Sequence, residues 1–233
     1  MAKLRSVAQF GPITAVLFDF HRTLVDGGDP VAALDAAWTR TGRAGSLLTA
    51  LGAGRHQALV QGVYHLWDDV RSVDPDNQRD LSPRRHRELF GELMGRVPDM
   101  DPDLAQAYYE VMPEMWMAYE DSLPTLTALK RGGARLAVVS NVARDIRPVL
   151  ARGGLLHLFD TVVLSFEAGV VKPQAPIFQL ALDALGAAPA NALMVGDNPY
   201  DDGAAGALGV RTLILPRTEG RSHGLDAVVR IAC

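Results

Sequence analysis

Five short apolar runs constrain this chain more than any other feature: Ile13–Phe18, Leu136–Val139, Thr161–Leu164, Ala192–Val195 and Thr212–Leu215. They are β-branched or leucine-rich and nearly continuous, the pattern of strands buried on both faces of a parallel sheet. Helix-like segments lie between the later runs. Leu123–Lys130 stops at Gly132-Gly133, Asp145–Ala151 at Gly153-Gly154, and Pro176–Leu185 at Gly186. A glycine just past the last periodic residue is a helix terminator. Strand and helix alternating in this way predict an α/β fold, a doubly wound, Rossmann-like parallel sheet.

The first gap breaks the rhythm. More than 110 residues separate the first two runs, where a crossover needs only a dozen or so. The intervening sequence reads as helical, with Val31–Thr41, His56–Val70, Pro83–Gly95 and Pro102–Tyr119 as helices. Ser82-Pro83 forms a good N-cap and first-turn pair. The expected organisation is a core of residues 1–25 and 120–233 with a helical subdomain, 26–119, inserted after the first strand. Ligands of open α/β sheets bind at the carboxyl edge of the strands, so an insert leaving from there should roof the site and shield it from water.

Composition narrows the function classes. Hydrophobic residues make up 48% and charged residues 21% of the chain, as in ordinary globular domains. A net charge of −4 argues against a general nucleic-acid binder, which carries a basic excess. No stretch approaches the roughly 20 apolar residues that span a bilayer, and no signal-peptide core follows Lys3 and Arg5. Cys233 is the single cysteine, so no intrachain disulfide forms. These features point to a cytoplasmic protein with no membrane partner.

The residues following the runs carry the chemistry. They are Asp19, Ser140-Asn141, Ser165 and Gly196-Asp197, with Lys172-Pro173 shortly after the third run. A carboxylate ending a buried strand needs a compensating cation. Two carboxylates, a lysine and hydroxyl and amide donors at one sheet edge form a set suited to phosphoryl transfer.

Four segments, in order, resemble those of the haloacid dehalogenase-like (HAD) hydrolase superfamily, in the subgroup with a helical cap after the first strand. They are Asp19-Phe20-His21-Arg22-Thr23, Val139-Ser140-Asn141, Gly169-Val170-Val171-Lys172-Pro173, and Val195-Gly196-Asp197-Asn198 followed by Asp201-Asp202. The resemblance implies Mg²⁺-dependent hydrolysis of a small phosphorylated metabolite. Asp19 would be the nucleophile and Lys172 its neutralising cation. Thr23, Ser140, Asn141 and Lys172 would contact the phosphoryl group or hold the turn. Asp19, the backbone carbonyl of His21, Asp197 and Asp202 would surround the metal, with Asp201 a near-equal alternative to Asp202. Mg²⁺ suits such hard oxygen donors.

His21 departs from the family pattern, which places a general acid/base aspartate two residues after the nucleophile. Three readings follow. Histidine takes over proton transfer, with neighbouring carboxylates favouring its imidazolium; the protein is an inactive scaffold that binds phosphate or a partner; or it is a metal-independent 2-haloacid dehalogenase. Retention of Asp197 and its neighbouring acids weighs against the last. In the insert, Trp38, Trp67 and Trp116 read as helix packing. The Arg84–Arg87 cluster, followed by Glu88 and Glu92, reads as a solvated face with i,i+4 pairs.

Overall fold

The computed structural model describes residues 11–232 apart from Asp69 and Glu219. The N-terminal segment read above as lacking a signal sequence lies outside the described residues, as does Cys233. Strands β1 (Ala15–Phe18), β2 (Arg135–Ser140), β3 (Thr161–Leu164), β4 (Ala192–Gly196) and β5 (Arg211–Ile214) form a parallel sheet in the order β3-β2-β1-β4-β5. All five expected runs are strands, with ends displaced by two residues or fewer. The order reverses beside β1, which is therefore the topological switch point.

Successive residues of a strand face opposite sides of the sheet, and here both sides are apolar. Val16 and Phe18 join Leu136, Val138, Leu193 and Val195 in one core, while Ala15 and Leu17 join Ala137, Val139, Ala192 and Met194 in the other.

The insert supplies α1 (Pro30–Arg40), α2 (Leu47–Leu51), α3 (Ala53–Tyr64), α4 (Val70–Val73), α5 (Pro83–Met94) and α6 (Pro102–Met115). The remaining helices are α7 (Ser122–Arg131), α8 (Arg147–Arg152), α9 (Ser165–Ala168), α10 (Ala175–Leu185) and α11 (Asp226–Ala232). Helices α7, α8 and α11 cover the first apolar face, and α10 covers the second. The insert has an apolar core of its own, built on Leu34, Leu59, Leu89, Phe90, Met94 and Leu104. Among the described residues no helix is long and apolar enough to cross a membrane.

Two expected insert helices are corrected. His56–Val70 is not continuous: the chain turns after Tyr64, where Trp67 packs against His86 and Phe90 with ring centroids 5.4 and 6.2 Å apart. Pro102–Tyr119 ends as a helix at Met115. Pro113 has no N–H to give the carbonyl of Tyr109 four residues earlier. Arg144, from the loop after β2, directs two long contacts of 3.4 and 3.5 Å at that oxygen. Arg152 donates to the carbonyls of Pro113 and Trp116 at 2.9 and 2.8 Å. The chain then re-enters the core as a short ribbon, with Asp26 N–H donating to Met117 and Tyr119 N–H to Leu24. The short α2 and the C-terminal α11 were not expected from the sequence. Asp121 holds the approach to α11 by accepting backbone N–H bonds from His223, Gly224 and Leu225.

Candidate active site

Asp19 leaves the end of β1, its N–H donating to the Val195 carbonyl on β4 at 2.9 Å. The chain then turns sharply, with the Phe20 carbonyl accepting from both Leu24 and Val25. Arg22 takes a left-handed φ of 58° inside that turn. Thr23 is buried, and its hydroxyl reaches Asp19 Oδ2 at 3.4 Å. The loop thereby holds the carboxylate upright at the sheet edge.

Lys172, 153 residues away in sequence, comes to that carboxylate. Its Nζ lies 2.6 Å from Asp19 Oδ1 and 2.6 Å from Asp202 Oδ1. The lysine is only 2% exposed and Asp202 is fully buried. Burial by itself lowers a lysine pKa, but the two carboxylates outweigh it and hold the ammonium above the usual range. Asn141 fixes the lysine backbone, its Oδ1 accepting the Lys172 N–H at 2.7 Å and its Nδ2 donating to the carbonyl at 2.9 Å. Both ends of that amide are thus engaged by the lysine backbone, a role that the sequence reading, which set Asn141 facing the phosphoryl group, did not foresee. Ser140 differs: its hydroxyl is buried with no hydrogen-bond partner among the described residues.

Asp197 and Asp202 complete the group. One oxygen from each of Asp19, Asp197 and Asp202 lies within 4.8 Å of the others. Asp202 Oδ2 accepts the Asn198 N–H at 3.0 Å, and a Cβ at position 196 would stand 2.0 Å from it, so only glycine fits there. Asp201 points elsewhere. Its carboxylate takes Arg71 Nη2 and Asn198 Nδ2, each at 2.7 Å. Between the two acids, tertiary structure selects Asp202 for the cluster.

Burial raises the pKa of all three clustered carboxyls. Lys172 offsets this at Asp19 and Asp202, the latter reaching about 6, and Arg217, 2.8 Å from Asp197, offsets it there. Three carboxylates therefore face two cations, and their charged forms are short of counter-charge. Hard oxygen donors with a deficit of positive charge fit a small divalent cation.

His21 requires a correction. Its ring lies against Phe20 and Trp116, with centroids 4.7 and 4.3 Å away. Its Nε2 is buried with no hydrogen-bond partner among the described residues. Burial, joined by the charges of Arg22, Arg144, His86 and Lys172, lowers its pKa to about 3. The expected imidazolium is therefore disfavoured in the resting site, because burial desolvates the ring and the charges that act on it are cationic rather than carboxylate. Trp116 is also more than insert packing, since it belongs to the main core and forms a wall beside His21. The Arg84–Arg87 cluster divides. Arg84 and Arg85 pair with Glu88 and Glu92 on the surface, whereas His86 turns inward to the Tyr109 hydroxyl at 3.0 Å.

Residues to which the sequence assigns no role also reach the site: Asn198, Arg217 and, from the insert, Arg71 and Asn77. Asn198 directly follows Asp197 in the fourth segment and could have been found there. Arg217 lies three residues past the end of β5 and could have been found by the same strand-end rule, whereas Arg71 and Asn77 follow no strand and carry no signal.

Comparison with known proteins agrees with this geometry. The family model described as haloacid dehalogenase-like hydrolase matches residues 13–209. The chain belongs to the haloacid dehalogenase-like hydrolases. A glyceraldehyde 3-phosphate phosphatase of Methanothermobacter thermautotrophicus is 37% identical, covering 93% of this chain and 95% of its own length. A phosphoserine phosphatase of Thermus thermophilus is 36% identical over 58% of this chain and 54% of its own length. An (S)-2-haloacid dehalogenase of a Pseudomonas species is 34% identical over 56% and 55%. The matches to the last two thus span little more than half of those relatives. The magnesium-bound HAD-hydrolase YfnB of Bacillus subtilis shares the fold with a TM-score of 0.69 at 17% identity, over 95% of this chain and 99% of that one.

Proposed function

We propose that this protein is a Mg²⁺-dependent phosphohydrolase acting on a small phosphorylated metabolite, with residues 26–119 as the cap over its site. The observation that carries this reading is Lys172 bridging Asp19 and Asp202 beside Asp197, with the unpartnered Ser140 hydroxyl at the end of the strand neighbouring β1. Among the relatives, the two named as phosphatases of small phosphorylated compounds support it.

Asp19 attacks phosphorus through the oxygen not held by Lys172, forming an aspartyl-phosphate as the leaving oxygen departs. Lys172 and the Ser140 hydroxyl steady the phosphoryl oxygens. Asp19, Asp197 and Asp202, with the His21 backbone carbonyl, are the groups that would hold Mg²⁺, whose charge offsets repulsion between the carboxylates and an incoming phosphate. His21 rests neutral, and a bound phosphate reverses the cationic field around it. The ring takes the proton of a phosphate monoanion, passes it to the leaving oxygen, then as a neutral base accepts one from the water that opens the aspartyl-phosphate and hands it to the released phosphate, returning to its neutral form.

Hydrolysis of an aryl phosphate with and without Mg²⁺, wild type against Asp19→Asn, tests this. Metal-dependent turnover abolished by the substitution is expected, and turnover surviving it overturns the assignment. The low pKa of His21 favours one other reading, an inactive scaffold that binds phosphate without turning it over. A broad phosphometabolite panel with no turnover, combined with saturable phosphate binding, would select it. Halide release from a 2-haloacid without metal would instead select dehalogenation.

A further inference from the structure

The insert does more than cover the sheet edge, because one of its side chains grips the backbone of the lysine. Asn77 stands in the turn before the 3₁₀ segment Gln78–Leu81, with a left-handed φ of 53°. It is 2% exposed. Its Nδ2 lies 3.1 Å from the Lys172 carbonyl and 3.3 Å from Asp201 Oδ1, and its Oδ1 is held by Arg79 at 3.2 Å. The same carbonyl also accepts from Asn141 at 2.9 Å. One amide from the core and one from the insert therefore clasp the peptide that carries Lys172.

A second contact leads to the partner of that lysine. Arg71 donates to Asp201 at 2.7 Å with its guanidinium over the Tyr200 ring. Asp201 shares Asn198 with Asp202, since Asn198 Nδ2 donates to the first and its N–H to the second. The turn is anchored as well: Ser165, at the start of α9, donates to the Asp80 carbonyl at 2.6 Å. The insert thus touches Lys172 directly through Asn77 and reaches Asp202 from Arg71 by way of Asp201 and Asn198.

We propose that Asn77 is a positioning residue for Lys172, so that the lysine is set for phosphoryl transfer only when the insert is seated. The inference rests on the phosphohydrolase reading for the role of Lys172, and on hydrogen-bond geometry for the clasp itself. A buried donor shared between a carbonyl and a carboxylate fixes both, and displacement of a charged group by about an ångström is enough to slow a reaction on the order of 100-fold.

Asn77→Gly tests it, because glycine accepts the left-handed φ without strain and removes the side chain that reaches the Lys172 carbonyl, while Arg79 keeps Asp74 as a partner. We expect kcat on an aryl phosphate to fall about tenfold with KM changed less than about twofold. Asn77→Asp, which sets a carboxylate against the Lys172 carbonyl and Asp201, should lose at least as much. Exchange of the Lys172 amide hydrogen should quicken about tenfold in Asn77→Gly, whether or not the protein turns over phosphate. An unchanged kcat, a loss confined to KM, or an unchanged exchange rate in the folded variant overturns the proposal. If the wild type shows no phosphatase activity while exchange still quickens, the clasp stands and the phosphohydrolase reading falls.

Discussion

Asp80 shows how a single buried carboxyl ties stability to pH. Burial raises its pKa from 3.8 to about 6, with partial relief from Arg79. The folded state therefore binds that proton more tightly than the unfolded state. The contribution is fully present below pH 3.8 and lost as pH rises through about 6. Asp80→Asn should then be more stable than wild type at about pH 8 by about 1–3 kcal/mol, with the difference closing toward about pH 4. Denaturant titrations at both pH values check this, and Arg79 keeps Asp74 at 2.9 Å as a partner in the variant. Gly196 sets the opposite kind of limit. A methyl group there would stand 2.0 Å from Asp202 Oδ2, so Gly196→Ala must push that carboxylate off Lys172. Loss of at least about tenfold in turnover is expected, together with a lowered melting temperature, and wild-type kinetics would contradict it.

Among elements, α6 depends most on its neighbours. Its start is self-sufficient: Asp101 caps the N–H groups of Asp103 and Leu104 and also pairs with Arg43 through two bonds of 2.6 and 2.8 Å. Those contacts, led by Arg43, pull the Asp101 pKa down to about 2. Asp101→Ala should cost about 1 kcal/mol at neutral pH, and less as pH falls through about 2, because the wild-type carboxylate then protonates. Its end is not self-sufficient, since Pro113 orphans the Tyr109 carbonyl that Arg144 approaches. Arg144→Met should cost about 1 kcal/mol. The cost should shrink in a Pro113→Ala background that restores the N–H, which a double-mutant cycle measures directly. Additive effects would show that Arg144 does not serve that oxygen.

Across the whole molecule, the proposed metal binding would be linked to unfolding through the acidic group. Asp19 and Asp197 lie at the ends of adjacent strands and Asp202 lies just beyond β4, so the unfolded chain cannot assemble the group. Mg²⁺ at about 100 times its Kd should then stabilise the fold by about 2.7 kcal/mol. Thermal melts with Mg²⁺ against a chelator read this gain, and Asp197→Asn should remove most of it. Equal melting of wild type and variant under both conditions would mean that the carboxylates hold no ion.

Much of the fold was legible because strand burial is written as continuous apolar runs, and a parallel order sends every strand's carboxyl end to one edge. Asp19, Ser140, Lys172 and Asp197 follow from that rule with no knowledge of side-chain direction. The insert was legible only as helical, since its turns depend on where Trp67 and Pro113 find partners. Beyond the strand ends, adjacent residues in a turn point in different directions, and distant groups decide which. Arg71 and Asn198 draw Asp201 aside and leave Asp202 to Lys172. Likewise the sequence by itself puts a histidine two residues after Asp19, but only the folded surroundings of Trp116, Arg22 and Arg144 make it neutral, because desolvation and field are properties of what packs around a ring and not of its place in the chain.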